Sequence, residues 1–247
     1  MYIFVCAAGF LASFVDAAVG GGGMISLPAL MMTGISPLHV LGTNKMSAVM
    51  GAFASFATFV KSGKMDIQLV KKLFPLSVIG SAIGVYTVQQ IPSAFLRPLI
   101  IVMLIAVVLY TIFKKGWDKE ALGAAITGRK LIISMLVALV IGFYDGFFGP
   151  GTGSFLLFAF LMIGFDFIGA TAVAKALNFG SNISATIFFA ACGLIDYTIA
   201  IPMGLVMIVG AWCGARFAIV KGVKYVRPLF IVVTTILIGK QLMDLFK

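Results

Sequence analysis

The sequence predicts an all-α polytopic membrane protein of two homologous repeats. Each repeat holds about five hydrophobic segments, the repeats have inverted topology, and glycine-broken half-helices lie near the midplane. Three observations carry this prediction. Of 247 residues, 62% are hydrophobic, against 18 Lys+Arg and 8 Asp+Glu, whereas a water-soluble domain clothes its surface with roughly a quarter charged residues. Long stretches are almost uncharged, Met1 to Asn44 holding only Asp16 and Leu73 to Phe113 only Arg97. The chain also matches itself when slid by a little over half its length, which sets Asp16 against Asp145 and Lys45 against Lys175. A span takes ~20 apolar residues, so the length allows about ten crossings and leaves no room for an aqueous domain.

The apolar segments of the first half run over residues 1–19, 24–35, 40–60, 73–90 and 98–113. The N-terminal MYIFVCAAGF lacks a basic leader and is read as a retained first segment. A polar stretch, Lys114 to Lys130, follows as a linker, in which Trp117 suits an interface and Asp118, Lys119 and Glu120 a solvated face. The second half gives 131–148, 153–165, 172–192, 199–215 and 228–244. No segment shows the period-two alternation of a membrane barrel. Segments 24–35 and 153–165 have only about a dozen residues, too few to cross a ~30 Å core as straight helices, and read as half-helices or re-entrant arms.

The self-match is detailed. Asp16-x-x-x-Gly20-x-Gly22 meets Asp145-x-x-x-Gly149-x-Gly151, and Gly63-x-x-Asp66 meets Gly193-x-x-Asp196. Gly80-x-x-x-Gly84 meets Gly210-x-x-x-Gly214, small-residue pairs suited to close helix packing, and Arg97-Pro98 meets Arg227-Pro228. An internal duplication follows, with halves 1–113 and 131–247 joined by the cytoplasmic linker 114–130. Cytoplasmic loops collect Lys and Arg. Residues 61–72 carry Lys61, Lys64, Lys71 and Lys72 and their counterparts 191–202 carry none, whereas 91–97 carry only Arg97 and 221–227 carry Lys221, Lys224 and Arg227. The bias flips between equivalent loops, as an inverted repeat requires, and both termini then lie outside. Lys240 and Lys247 favour the alternative, a parallel four-plus-four arrangement.

Composition also excludes functions. Cys6, Cys192 and Cys213 lie in apolar runs without metal-ligand spacing, and His39 is the only histidine, so neither a zinc site nor a disulfide framework is expected. The net charge of +10 sits in short clusters between apolar runs and marks topology, not nucleic-acid binding. No cofactor motif or aromatic box is visible.

The charges inside apolar segments carry the chemistry. Asp16, Asp145, Lys45 and Lys175 each cost about 2.5 to 3.5 kcal/mol at a helix centre on insertion scales, and they form two matched sets. They read as facing a polar cavity, each lysine paired with an aspartate or awaiting an anion. The bland alternative is one structural ion pair within each half, Asp16 with Lys45 and Asp145 with Lys175. The glycine runs Gly20-Gly21-Gly22-Gly23 and Gly149-Pro150-Gly151-Thr152-Gly153-Ser154 break a helix and open a short one, the first beginning at Met24. Such a break lets backbone approach a ligand and aims the N–H groups and positive dipole end of the next half-helix into the protein, an anion site in kind. Ser26, Thr152 and Ser154 can add hydroxyls, and Asn44, Asn178 and Asn182 amides. Asp66 and Asp196 sit at loop positions suited to capping.

The strings VGGGGMISLPALMMTGISPLHVLGTNK, GFYDGFFGPGTGSFLL and AKALNFGSN resemble the duplicated signatures of the TauE/SafE sulfite exporter family, across essentially the whole chain. The resemblance implies a multi-pass transporter of the bacterial-type inner membrane for sulfite, sulfoacetate or related organosulfonates, driven by the proton or membrane gradient. It implies no enzyme activity. One departure is internal: Gly42-Thr43-Asn44 precedes Lys45, but Ala172-Val173-Ala174 precedes Lys175, so the two half-sites need not contribute equally. The mechanism expected is alternating access. Both glycine breaks, Lys45 and Lys175 bind one sulfite or sulfonate group, whose three oxygens suit converging donors. Asp16 and Asp145 stand behind, orienting the lysines or carrying protons. His39, beside Pro37 in a turn, is read either as a coupling residue or as an interfacial histidine.

The partners implied are a small anion, the lipid bilayer and protons as coupling ion; whether the chain is a homodimer is not set by sequence. Two other classes compete. A divalent-cation permease would use the aspartates as ligands, although two acids accompanied by lysines make a weak hard-cation site. An intramembrane aspartyl protease needs two carboxylates sharing a proton, which duplicated lysines and glycine loops do not explain.

Overall fold

The computed structural model describes residues 1–92, 94–96, 98–103, 105 and 128–221. Eight helices are numbered here in chain order: α1 Tyr2–Val19, α2 Gly23–Met31, α3 Pro37–Lys61, α4 Ile67–Gln89, α5 Gly128–Phe147, α6 Thr152–Ile163, α7 Phe167–Ala191 and α8 Tyr197–Lys221. There is no strand among the described residues, and the described residues of 94–105 are helical. Most of segment 98–113, nearly all of the linker, segment 228–244 and the basic residues Lys224 and Arg227 lie outside the described residues.

Several helices begin earlier than hydropathy predicts, because capping and not apolarity decides where a helix starts. The Ser36 hydroxyl accepts from the His39 N–H at 3.4 Å at the head of α3. Asp66 accepts from the Leu69 N–H at 3.0 Å at the head of α4, and Asp166 from the Gly169 N–H at 3.0 Å at the head of α7. Asp196 accepts from the Thr198 N–H at 3.0 Å before α8. Asp66 and Asp196 thus do cap helices. Helix α4 therefore starts at Ile67 and not at 73, with Lys71 and Lys72 exposed in its first turns.

Helices α4, α5 and the stretch Tyr197–Val220 of α8 are long and apolar enough to cross a membrane. Their outward faces carry apolar stripes at helical spacing: Ile79, Ile83 and Tyr86 on α4, Ile132, Leu136 and Val140 on α5, and Ile201, Leu205, Val209 and Trp212 on α8. Their inward faces hold small and polar residues such as Ser77, Ser81 and Ser134. A helix that turns its large apolar side chains outward and its hydroxyls inward is arranged for lipid.

The inner contacts repeat. Helix α4 packs on α5 and α8 on α1. A Cβ at Gly80 would collide with the Leu139 carbonyl and one at Gly84 with the Phe143 carbonyl. At the equivalent positions of the second half, one at Gly210 would collide with the Phe10 carbonyl and one at Gly214 with the Phe14 carbonyl. These glycines bring backbones together, as the small-xxx-small spacing predicts. Hydroxyls add ties between the halves: Ser77 donates to the Leu177 carbonyl at 2.8 Å, Ser81 to the Ser181 carbonyl at 2.6 Å, and Ser47 to the Ala200 carbonyl at 3.0 Å.

Helices α3 and α7 lie against each other at the centre. The loop that follows α7 sits beside the start of α3, where the Asp196 N–H donates to the Thr43 hydroxyl at 2.9 Å. The loop that follows α3 comes after Lys61, about 27 Å further along that helix at 1.5 Å per residue. Helices α2 and α6 have 9 and 12 residues, about 14 and 18 Å. Residues 24–30 of α2 are all buried, as are Leu156, Leu157, Phe158, Phe160 and Leu161 of α6, as expected of short helices enclosed by others.

Candidate functional site

Two breaks in the backbone build the site. Gly20 and Gly21 take φ of 81° and 94°, and Gly149 and Gly151 take 101° and 85°, a region that side chains disfavour. The breaks touch each other. A Cβ at Gly20 would overlap the Gly153–Ser154 backbone, and one at Gly23 would lie 3.0 Å from Pro150 Cα. The Tyr144 hydroxyl donates to the Pro150 carbonyl at 2.5 Å and ties the second break to the end of α5.

A cavity of about 40 Å³ lies beside this crossing, larger than the ~10–15 Å³ that a single water requires. Gly22, Gly23, Thr152 and Gly153 reach it from the breaks. Asp16, Lys45 and Asp145 also line it, together with Ser26, Asn44, Asn178 and Asn182. Lys175 stands just behind, its Nζ 3.2 Å from where a Gly153 Cβ would be.

The ion pairs run between the halves. Lys45 of α3 donates to Asp145 Oδ1 of α5 at 2.7 Å, and Lys175 of α7 to Asp16 Oδ2 of α1 at 2.9 Å. This corrects the within-half pairing of Asp16 with Lys45 and Asp145 with Lys175. The reason is tertiary: α3 and α7 lie side by side, and the breaks bring each lysine up to the opposite half's aspartate.

The two carboxylates have different surroundings. Asp145 accepts from Lys45 and, at 3.0 Å, from the Thr152 hydroxyl on Oδ1. Its Oδ2 accepts from Asn178 Nδ2 at 3.1 Å, Asn182 Nδ2 at 3.4 Å and the Ser181 hydroxyl. Asp16 accepts from the Gly22 N–H at 3.1 Å and from Lys175, which donates also to the Asp16 carbonyl. The Asp145 side chain is 2% exposed and that of Asp16 24%.

The remaining residues divide between the cavity and its support. Ser26 donates to Asn44 Oδ1 at 2.6 Å and joins α2 to α3 beside the cavity. Gly21, Met24, Gly151 and Ser154 are buried around the breaks without lining the cavity. His39 stands in the first turn of α3, Nδ1 2.8 Å from the Ser36 hydroxyl, and does not line the cavity. Sequence reasoning missed Ser181, although its spacing of three from Asn178 puts it beside that residue on the helix surface. It also missed Ser13, Ala48, Gly51, Ala52, Met207 and Ala211, which line the wall and carry no charge to draw notice. Each carboxylate is held by a lysine, which is not the proton-sharing dyad of an aspartyl protease.

Helices with lipid-suited faces around a buried, charge-paired polar cavity define a membrane transporter. Residues 5–240 match the family described as Sulfite exporter TauE/SafE. The chain belongs to that family. It is 35% identical over 242 residues to a probable membrane transporter protein, ORF9, of Sinorhizobium sp, covering 98% of this chain and 92% of the relative. It is 35% identical over 237 residues to a probable membrane transporter protein of Haemophilus influenzae, covering 96% and 92%. The probable membrane transporter protein YfcA of Escherichia coli is 33% identical over 235 residues, covering 95% and 87%. No solved structure matches the chain.

Proposed function

We propose that this chain carries a small sulfur-containing oxyanion, sulfite or a short organosulfonate, across a bacterial-type inner membrane by alternating access coupled to the proton or membrane gradient. The observation that carries this reading is the cavity where the two glycine breaks meet, with a buried lysine from each half beside it. A sulfite or sulfonate group has three acceptor oxygens, which N–H, hydroxyl and ammonium donors converging from two sides can serve. At about 40 Å³ the cavity suits the anionic head alone, so a longer substrate needs the surrounding helices to move apart. In this reading the halves 1–113 and 131–247 are an inverted duplication joined by a cytoplasmic linker, 114–130. The repeated glycine contacts and the loop after α7 lying beside the start of α3 support it. The halves would rock about the glycine crossing, exposing the site to each side in turn.

The test is thermal stabilisation of the detergent-purified protein by sulfite, sulfate, sulfoacetate, taurine, chloride and divalent metals. A ligand of the folded state contributes about 2.7 kcal/mol at one hundred times its Kd. Sulfite or a sulfonate is expected to stabilise the wild type and to lose this effect in Ala48→Leu, which fills the cavity and leaves both ion pairs in place. Stabilisation by metals alone would replace this reading with a cation permease.

A further inference from the structure

We propose that the two ion pairs divide the work: Lys45–Asp145 is a fixed strut, and Asp16 is a tethered stand-in for the transported anion that takes up a proton when the anion displaces it. The inference rests on the anion-transport reading and assigns its coupling residue. The first ground is saturation. A carboxylate offers about four lone-pair sites, and five donor groups crowd Asp145 within hydrogen-bonding distance. A proton could join it only by expelling one of them. Asp16 accepts two side-chain-directed bonds, from the Gly22 N–H and Lys175, and keeps open acceptor capacity on the side exposed to the cavity.

The second ground is the repeat itself. The offset that sets Lys175 against Lys45 also sets Asn178, Ser181 and Asn182, which hold Asp145, against Ala48, Gly51 and Ala52. Those three line the cavity. The half that should hold Asp16 as Asp145 is held lacks the equivalent donors, and the space they would fill is the cavity. The third ground is chemical identity. Asp16 presents a carboxylate to the N–H of Gly22 at the N-cap of α2 and to a lysine, which are the contacts an oxyanion would want.

An anion cannot sit beside an ionised Asp16 without like-charge repulsion in a site of low dielectric. Protonation removes that charge, and the Lys175 ammonium and the Gly22 N–H pass from Asp16 to the anion. The proton comes from solvent and leaves when the anion does, so no charge stays uncompensated. The groups facing Asp16 from the packed elements are Lys175 of α7 and, across the cavity, Lys45 of α3, with Asp145 of α5 behind it. The wall residues of α2, α6 and α8 bring no titratable group.

The experiment measures binding of methanesulfonate, whose charge is constant between about pH 5 and pH 8, to full-length protein, with proton uptake recorded in weak buffer. In the wild type, affinity should fall as pH rises, by about tenfold per pH unit at its steepest, with about one proton taken up per anion. Asp16→Asn should bind with pH-independent affinity and no proton uptake. Asp145→Asn, if it folds, should keep the wild-type pH slope. An Asp16→Asn variant with the wild-type slope, or wild-type binding without proton uptake, would overturn the assignment. A wild type that binds neither methanesulfonate nor sulfite at any pH would overturn the transport reading beneath it.

Discussion

Lys45 and Lys175 are 2% and 1% exposed, and each has an aspartate of the other half within hydrogen-bonding distance. Breaking a buried pair leaves one charge uncompensated and costs about 3 to 5 kcal/mol. Lys45→Met and Asp145→Leu should therefore each lower stability by about that amount, and the double variant by much less than their sum. Lys45→Met with Asp16→Leu should show weaker coupling, because those two face each other across the cavity without contact. Thermal unfolding of the purified variants measures both cycles, and strong coupling of Lys45 to Asp16 would contradict the crosswise pairing. That these four residues matter is legible in the sequence, since a charge in an apolar run needs a reason. Which lysine meets which aspartate is not, because it depends on α3 and α7 lying side by side. The donor shell of Asp145 is half legible: Asn178 and Asn182 stand out in an apolar helix and Ser181 does not.

At the scale of the helix, the glycines do two separate things. Those in the breaks permit positive φ and a close crossing, and those on α4 and α8 let backbones touch. Replacing Gly84 with Val would push its Cβ into the Phe143 carbonyl and separate α4 from α5. Overpacking of this kind typically costs about 1 to 3 kcal/mol, and a valine at exposed Gly63 would serve as a poor control because of its positive φ. Ile83→Val, on the outward face of the same helix, should leave stability nearly unchanged. Unfolding temperature in detergent checks the contrast, and equal losses would mean that α4 and α5 are not in contact there. The order and number of helices up to Gln89, and again from Gly128 to Lys221, are legible from apolar runs. Their starts are not, because hydropathy stops at a charge while Ser36, Asp66 and Asp166 start the helix in the polar stretch before it.

At the scale of the molecule, the function proposed above has two oppositely facing halves meeting at one cavity. The halves are legible as a self-match of the chain and as a basic bias that flips between equivalent loops. The cavity is not, since the small residues that leave room for it, Ala48, Gly51, Ala52 and Ala211, carry no signal in the sequence and enclose it only once α1, α3 and α8 pack together. The central claim of that proposal is the opposed orientation of the halves. It is tested most directly by labelling single cysteines in intact cells with a membrane-impermeant thiol reagent. One variant keeps exposed Cys192, in the loop after α7, as its sole cysteine; the other carries Lys64→Cys, in the loop after α3, with Cys6, Cys192 and Cys213 replaced by serine. Cys192 should be labelled from outside and position 64 only after the membrane is opened, as the proposed topology puts the basic loop inside. Labelling of both positions from the same side would contradict the opposed orientation.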